Sequence, residues 1–155
     1  MEFRKSVKSD IPEIMGIIKQ AQDYFKEKNI NQWQNGYPNE EVINNDIENE
    51  ESYVMIKDDK IVATTVISFK EESCYENIID GKWLTNGDYG VIHRIAVGKT
   101  YKGLGLSHKI IKYAEKICLE KGVPSIKVDT HEDNIPMQGL LKKNGFEYCG
   151  VVYLE

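Results

Sequence analysis

The sequence has no long hydrophobic run: no window approaches the ~18 consecutive apolar residues that a membrane-spanning helix needs. The first ten residues also lack the apolar core of a secretory signal peptide. Cysteine is scarce and odd in number, and three scattered residues fit reduced thiols rather than a disulfide framework. We therefore expect a cytoplasmic protein that has no membrane partner.

Metal-binding spacings and a surplus of positive charge are also missing. The three histidines are scattered, and neither CxxC nor HExxH occurs. The 20 Lys and Arg residues are outnumbered by 25 Asp and Glu, which gives a formal net charge of −5. A nucleic-acid surface normally appears as a basic stripe. These absences predict that the protein holds no metal and binds no nucleic acid.

The sequence does contain a clear alternation of helical and strand patterns. Residues 10–27 have apolar side chains at helical spacing, and Asn39 can cap a second helix that runs to about Asn49. Residues 53–57 and 60–69 are rich in β-branched side chains on either side of a turn, which predicts an antiparallel hairpin. The length fits one domain over residues 1–155, and no repeat or linker divides it.

The second half of the chain continues this pattern. It predicts a strand over residues 89–97, a helix that ends before Gly122, a strand over 124–130, a helix from Asn134 to Asn144 and a final strand over 146–154. Residues 70–88 have no clear period, and a loop of that length in a compact domain is often functional. The sum predicts an α/β sandwich around one mostly antiparallel sheet.

The region from Tyr89 to Lys121 places a strand, a glycine-containing loop and a helix in succession. Gly103 and Gly105 leave room for a ligand beside the backbone and tolerate positive φ angles. The first amides of the following helix carry a partial positive charge. This order predicts a loop that binds phosphate through main-chain N–H groups, although a simple turn before an amphipathic surface helix explains the glycines equally well. The loop matches neither GxxxxGK[ST] nor GxGxxG with a downstream acidic residue.

The sequence around these glycines resembles the acetyl-CoA loop of the GCN5-related N-acetyltransferase (GNAT) family. In that family the motif [RQ]xxGx[GA] follows a strand that ends in an AV-type pair. Lys102 stands where Arg or Gln is usual, and Ser107 where Gly or Ala is usual. Residues 134–150 resemble the closing segment of the same family, in which an Asn begins a helix that ends at a GF pair. The six loop positions are Lys102, Gly103, Leu104, Gly105, Leu106 and Ser107.

The resemblance implies a GNAT-type sandwich, a mixed sheet with helices on both faces. It also implies an N-acetyltransferase that moves the acetyl group of acetyl-CoA directly to a primary amine in a ternary complex. The strand end is expected to splay from its neighbour, so that its main chain pairs with the pantetheine arm. Beyond the six loop positions, the expected cofactor contacts are Ile95, Ala96, Val97, Asn134 and Met137.

The reaction needs a base, because an alkylammonium with a pKa of about 10.4 is almost wholly protonated at pH 7. His93 lies four residues before Val97, so a regular strand would place both on one face, and histidine suits a base at neutral pH. GNAT enzymes that acetylate arylalkylamines are similar here, with a histidine at the matching position. A hydrogen-bonded core role for His93, or His131 as the base, are the alternatives.

The acceptor is predicted only as a small-molecule or peptide amine. Trp33 and Tyr37 lie between the first two helices, where the resemblance places the acceptor site; core packing is the alternative. The acidic run from Glu40 to Glu51 is typical of a solvated helix face, or it steers a cationic amine.

Protonation of the leaving thiolate is the step for which the sequence offers no clear residue. The family position for the tyrosine that protonates it is Leu141, and Tyr113, Tyr148, Cys149 or a water are open substitutes. A non-catalytic acyl-CoA-binding sensor or partner module, or a domain that binds another nucleotide, are therefore alternatives. The last predicted strand is followed by no second one, so we also consider a homodimer in which a second subunit completes the sheet edge.

Overall fold

The computed structural model describes residues 1–154 and contains five strands and four α-helices within that range. The strands are β1 (Glu2–Lys5), β2 (Ser52–Lys57), β3 (Lys60–Ser68), β4 (Gly90–Val97) and β5 (Ile126–Lys127). The helices are α1 (Ile11–Glu27), α2 (Glu40–Glu48), α3 (Leu106–Glu120) and α4 (Ile135–Lys143). No helix within residues 1–154 is long and apolar enough to cross a membrane.

The five strands form one sheet in the order β1-β2-β3-β4-β5. The first three pairs are antiparallel, and β4 and β5 are parallel. Successive residues of β2 point to opposite faces: Val54 packs with α1 and α2, and Met55 packs with α3. The predicted mixed, mostly antiparallel sheet with helices on both faces is therefore confirmed.

Side-chain caps set the starts of two helices as the sequence predicted. Asn39 Oδ1 accepts a hydrogen bond from the N–H of Val42 at 2.9 Å, which satisfies one of the free amides at the start of α2. Asn134 Oδ1 accepts from the N–H of Met137 at 3.2 Å in the same way. Both boundaries agree with the prediction.

Strand β4 contains a bulge at Arg94. On β3, Val66 pairs with His93 and Thr64 pairs with Ala96, so the single residue between them faces two residues of β4. Arg94 has a φ of +48°, which a non-glycine residue rarely adopts. The bulge therefore inserts one extra residue into the strand.

The bulge makes the predicted placement of His93 wrong. Side chains of directly paired residues lie on the same face of a sheet, so His93 shares the face of Ala96, whose partner is Thr64. Val97 pairs with Ala63 and lies on the opposite face, which α3 covers. The inserted residue reverses the alternation on which the four-residue spacing relied. His93 therefore points to the side of α1 and α2.

A buried ion pair holds the bulge. Arg94 Nη2 and Nε donate to the two carboxylate oxygens of Asp46 in α2, at 2.6 and 2.8 Å. The Arg94 and Asp46 side chains are only 15% and 8% exposed. Burial raises the pKa of the Asp46 carboxyl, and the hydrogen bonds from Arg94 oppose that effect. The pair joins α2 to the one irregular point of β4.

The predicted strand over residues 146–154 is wrong. That segment forms a single bridge, between Val151 and Ile79, and it packs against the loop before β4. Gly150 has a φ of +152°, and a Cβ there would lie 2.6 Å from the carbonyl oxygen of Ile79. Because the partner is an irregular loop, a regular ladder cannot extend from this bridge. The strand predicted over 124–130 is likewise reduced to the two residues of β5.

The predicted single domain over 1–155 is not tested by these elements, and Glu155 lies outside the described residues. Completion of the sheet edge by a second subunit also stays a prediction.

We predict that Asp46→Asn lowers the free energy of unfolding by about 3–5 kcal/mol, because removal of one partner leaves the Arg94 charge buried without compensation. Urea denaturation at pH 7 measures this. Glu41→Gln changes an exposed acid of the same helix and serves as the control, with a change within about 0.5 kcal/mol. Equal stability of Asp46→Asn and the parent chain would contradict the assigned role of the ion pair.

A second ion pair joins β1 to the start of α1. Arg4 donates to both carboxylate oxygens of Asp10, at 2.8 and 3.1 Å, and the N–H of Val7 donates to the same carboxylate at 2.8 Å. These hydrogen bonds hold the pKa of the Asp10 carboxyl below its usual value. The carboxylate therefore stabilises the fold only while it is ionised.

We predict that Asp10→Asn reduces stability at pH 7 and that this deficit shrinks in acid. A lowered folded-state pKa contributes stability that is present above the unfolded pKa, about 3.9, and is lost as the pH falls through the folded value. Thermal unfolding of both chains from pH 7 to pH 2.5 measures the difference. A deficit that stays constant over this range would show that the carboxylate charge is not responsible.

Candidate functional site

The chain leaves β4 through a 3-10 helix, Lys99–Tyr101, and enters α3 through a loop with two left-handed glycines. Gly103 and Gly105 have φ angles of +83° and +76°. A Cβ at either position would meet no atom within 4 Å. The glycines are therefore needed for the backbone conformation and also leave open space above it.

The first turn of α3 presents free main-chain donors. The earliest helical hydrogen bond there runs from the N–H of Lys109 to the carbonyl of Gly105. Within residues 1–154, the N–H groups of Leu106, Ser107 and His108 donate to no protein acceptor. Leu106 itself is buried against the core and fixes this turn in place. The arrangement can hold an anion at the helix N-terminus.

The side chain of Lys102 lies on an aromatic ring of α1. Its Nζ is 3.4 Å from the centre of the Tyr24 ring in α1, a cation–π contact. Burial lowers the pKa of Lys102. The neighbouring N–H of Lys99 donates to Gln20 Oε1 at 2.7 Å, so the loop is attached to α1 at two points.

One edge of β4 is open over most of its length. Gly90 and Val91 pair with β5, and no strand within the described residues pairs with Ile92–Val97 on that side. This agrees with the splay that we expected from the resemblance. The predicted contacts Ile95, Ala96 and Val97 all lie in this segment, with their side chains packed into the two helical layers. Their main-chain groups can pair with an extended ligand as another strand would.

His93 lies near the start of this open segment and contacts a carboxylate. Its Nε2 is 2.9 Å from Glu72 Oε1, and the two side chains are 19% and 32% exposed. Its carbonyl oxygen accepts from Thr65 Oγ1 at 3.1 Å. Within residues 1–154, Nδ1 has no protein partner, and it is not among the buried polar atoms left without one. Nδ1 is therefore not fully buried and has no hydrogen-bond partner of its own among the described residues.

The loop from Lys70 to Asp88 packs beside β4 and β5 and is anchored there by its aromatic residues. The hydroxyl of Tyr75 donates to Asp129, and Trp83 Nε1 donates to the carbonyl of Tyr75 at 2.8 Å. Burial, and then Asp129, raise the pKa of Tyr75 far above its usual value. The loop is therefore held in place beside the strand by its own side chains, and its expected functional role stays a prediction.

The predicted acceptor residues occupy different environments. The hydroxyl of Tyr37 accepts from Arg94 Nη1 at 2.7 Å, which brings it to the bulge of β4. Trp33 packs against the core under α1 and meets Phe25 edge-on, with 5.6 Å between ring centres. Tyr37 thus contacts Arg94, the residue that follows His93 in β4, whereas Trp33 has a packing role.

The predicted residues at the start of α4 are tied to the loop after α1. Asn134 is buried, and its Nδ2 donates to Gln32 Oε1 at 2.8 Å while its Oδ1 caps the helix. His131 Nδ1 accepts from the N–H of Asp133 at 3.0 Å. Met137 is half-buried. Both polar atoms of the Asn134 side chain therefore already have protein partners.

Sequence reasoning missed three residues of this site. Glu72 lies in a segment without periodicity, where nothing local distinguishes it. Arg94 could have been noticed, because it and His93 are two adjacent polar residues in an otherwise apolar strand. Asp46 could also have been noticed, because helical spacing places it on the inward face of α2 with Ile43 and Ile47. Within residues 1–154 no three potential ligand side chains gather to hold a metal, and the absence of a metal stays a prediction.

Comparison with known proteins agrees with the geometry. The profile of the acetyltransferase (GNAT) family matches residues 18–146. Streptothricin acetyltransferase of Escherichia coli is 32% identical over 91 residues, which cover 54% of this chain and 52% of that protein, so the chain matches about half the length of this relative.

Two solved structures extend the comparison over nearly the whole chain. An acetyltransferase of the GNAT family from Streptococcus agalactiae superposes with a TM-score of 0.91 at 32% identity, over 99% of this chain and 89% of that one. A predicted acetyltransferase from Clostridium acetobutylicum, solved with acetyl-CoA, shares the fold with a TM-score of 0.66 at 20% identity, over 99% and 94% of the two chains. With the free amides, the open strand edge and these matches together, the chain belongs to the acetyltransferase (GNAT) family, whose members use acetyl-CoA to acetylate amine acceptors.

Proposed function

We propose that this chain transfers the acetyl group of acetyl-CoA directly to a primary amine while both are bound. One observation supports this most: the free amides at the start of α3 follow directly on the open edge of β4, which carries His93. A ligand with a diphosphate, an extended amide arm and a terminal thioester has the length and chemistry for such a path. Nucleotides without the extended arm would leave the strand edge unused.

The amides of residues 102–107 would hold the diphosphate. Because the side chain of Lys102 lies on Tyr24, we assign this task to main-chain donors and to the partial charge of the helix N-terminus. The main chain of Ile95, Ala96 and Val97 would pair with the pantetheine arm. Asn134 and Met137 lie at the start of α4 and would flank the arm.

The reaction on this strand is an acyl transfer. The amine nitrogen attacks the thioester carbon, the C–N bond forms and the C–S bond breaks, while a main-chain N–H of β4 stabilises the negative charge on the carbonyl oxygen. His93 accepts the amine proton. The thiolate leaves without a tyrosine at position 141, because Leu141 packs in the core beside Ile92. At pH 7 a thiol with a pKa of about 8.5 makes that omission cost only about 2 kcal/mol.

The amine would enter on the side of α1 and α2, where the bulge directs His93 and where Arg94 holds Tyr37. His131 and Trp33 are kept as more distant candidates for the acceptor site. The relative that acts on streptothricin supports a small cationic amine as the first acceptor class to test. Peptide amines remain in the same panel.

A thiol-release assay with acetyl-CoA and a panel of streptothricin, polyamines, arylalkylamines, amino acids and N-terminal peptides tests the proposal. Turnover of one class supports it. Tight coenzyme A binding with no turnover of any amine would favour the non-catalytic acyl-CoA-binding module, and stronger stabilisation by ATP or NAD would favour another nucleotide.

We predict that Gly105→Ala lowers the affinity for coenzyme A by about tenfold. An alanine at a φ of +76° is strained by about 1–2 kcal/mol, and relief of that strain turns the adjacent amides. Isothermal titration calorimetry measures the affinity. Gly122→Ala imposes a similar strain, at +70°, just past the other end of α3 and is the matched control. It should lower stability and leave the affinity unchanged; an equal loss in both variants would point to a general weakening of α3.

We predict that His93→Ala lowers kcat by about 10²–10⁴-fold with the amine that is turned over best, because no other base then takes the proton. The affinity for coenzyme A, measured by calorimetry, should remain within about twofold. His131→Ala is compared in the same assay, since His131 is the alternative base. A larger loss of kcat in His131→Ala than in His93→Ala would transfer the role to His131.

A further inference from the structure

The loop between β3 and β4 brings the carboxylate of Glu72 to the His93 ring, and the reaction proposed above gives this carboxylate no role. We propose that Glu72 is a positioning residue, which fixes His93 with its hydrogen on Nε2 so that Nδ1 is the atom that accepts the amine proton. This inference rests on the proposed function, since it names the reacting atom of the proposed base.

The hydrogen-bond roles follow from the donor inventory of the two groups. An ionised carboxylate only accepts, so the 2.9 Å contact requires a hydrogen on Nε2 of His93. In the neutral ring the lone pair is then on Nδ1. That nitrogen has no partner within residues 1–154 and is not fully buried. The basic atom is therefore the one that is left free to take the proton of an incoming amine.

The Glu72 side chain is placed by a structured segment rather than by a free loop. Its own N–H donates to the hydroxyl of Tyr89 at 3.0 Å. Three residues later the hydroxyl of Tyr75 is bound to Asp129, and Trp83 closes on Tyr75. The carboxylate thus contacts the ring from a backbone that is attached to the β4–β5 end of the sheet.

The second charged neighbour of His93 is already neutralised. Asp46 faces the same side of β4, but both of its oxygens accept from Arg94. Glu72 is consequently the carboxylate that is hydrogen-bonded to the ring. When the amine proton moves to Nδ1, the ring becomes an imidazolium, and the carboxylate at Nε2 stabilises it. The freed amine lone pair attacks the thioester carbon. As the C–S bond breaks and the thiolate leaves, the nitrogen loses its second proton to water, and the ring returns its own proton to water.

The tautomer can be measured without any substrate. Two-dimensional ¹⁵N spectra of the histidine rings distinguish a hydrogen on Nε2 from one on Nδ1. The chain has three histidines, so the spectrum of His93→Ala assigns the His93 signals by their disappearance. We expect the Nε2-hydrogen form in the parent chain above pH 8, and a mixture of both forms in Glu72→Ala.

Kinetics then test the positioning role. Glu72→Ala should lower kcat at least tenfold and leave the KM for acetyl-CoA unchanged, because a misplaced tautomer disables the base without touching the cofactor loop. Glu72→Gln retains an accepting oxygen and should recover part of kcat and the parent tautomer. Glu71→Ala removes the same charge one residue earlier, from an exposed side chain, and should match the parent chain in every readout. Combined with His93→Ala, the Glu72→Ala change should cause no further loss.

The outcomes separate this inference from the proposed function. A hydrogen on Nδ1 in the parent chain, or an unchanged kcat in Glu72→Ala, overturns the role of Glu72 while turnover itself still supports the transferase. An unchanged kcat in His93→Ala overturns both the base and its positioning residue. If no amine is turned over, the proposed function fails, whereas a hydrogen on Nε2 that is lost in Glu72→Ala would still support the contact as the cause of the ring orientation.

Discussion

The Arg94–Asp46 ion pair is the interaction on which the rest of the site depends. A left-handed backbone at a non-glycine residue costs about 1–2 kcal/mol, and two short hydrogen bonds to a buried carboxylate offset it. The pair also places the carboxylate of Asp46, from α2, against Arg94 of β4. The contact therefore helps to hold Arg94 in the conformation that reverses the alternation of β4.

The bulge divides β4 into two halves whose side chains alternate in opposite phase. Before the bulge, Ile92 packs against α3 and His93 lies on the face of α1 and α2. After the bulge, Ala96 lies on the face of α1 and α2, whereas Ile95 and Val97 pack against α3. The second half leads directly into the glycine loop, whose position depends on the burial of Leu106 in the same cluster as Val97. His93 and the free amides of α3 are therefore positioned by one strand and the loop that follows it.

Local patterns predicted the elements well because periodicity and caps are local properties. Helices α1, α2 and α4 begin at the residues that the apolar spacing and the capping residues indicated. The loop between β4 and α3 was predicted from its two glycines. The face of His93 could not be predicted, since it depends on a bulge that is set by a partner in another helix. The C-terminal segment has strand-forming residues, yet a strand also needs a partner, and Ile79 offers only one bridge. Glu72 reaches His93 across 21 residues of chain, and no local rule predicts such a contact.

Arg94 divides its donors between helix α2 and the loop that precedes it. Nε and Nη2 bind Asp46, and Nη1 alone binds the hydroxyl of Tyr37. The two hydrogen bonds that hold the bulge therefore do not depend on Tyr37, and the geometry of β4 does not require the loop between α1 and α2. Nothing in the strand thus constrains the residue types of that loop. For this reason the residues expected to contact acetyl-CoA could be named from a motif, whereas residues for the amine could not.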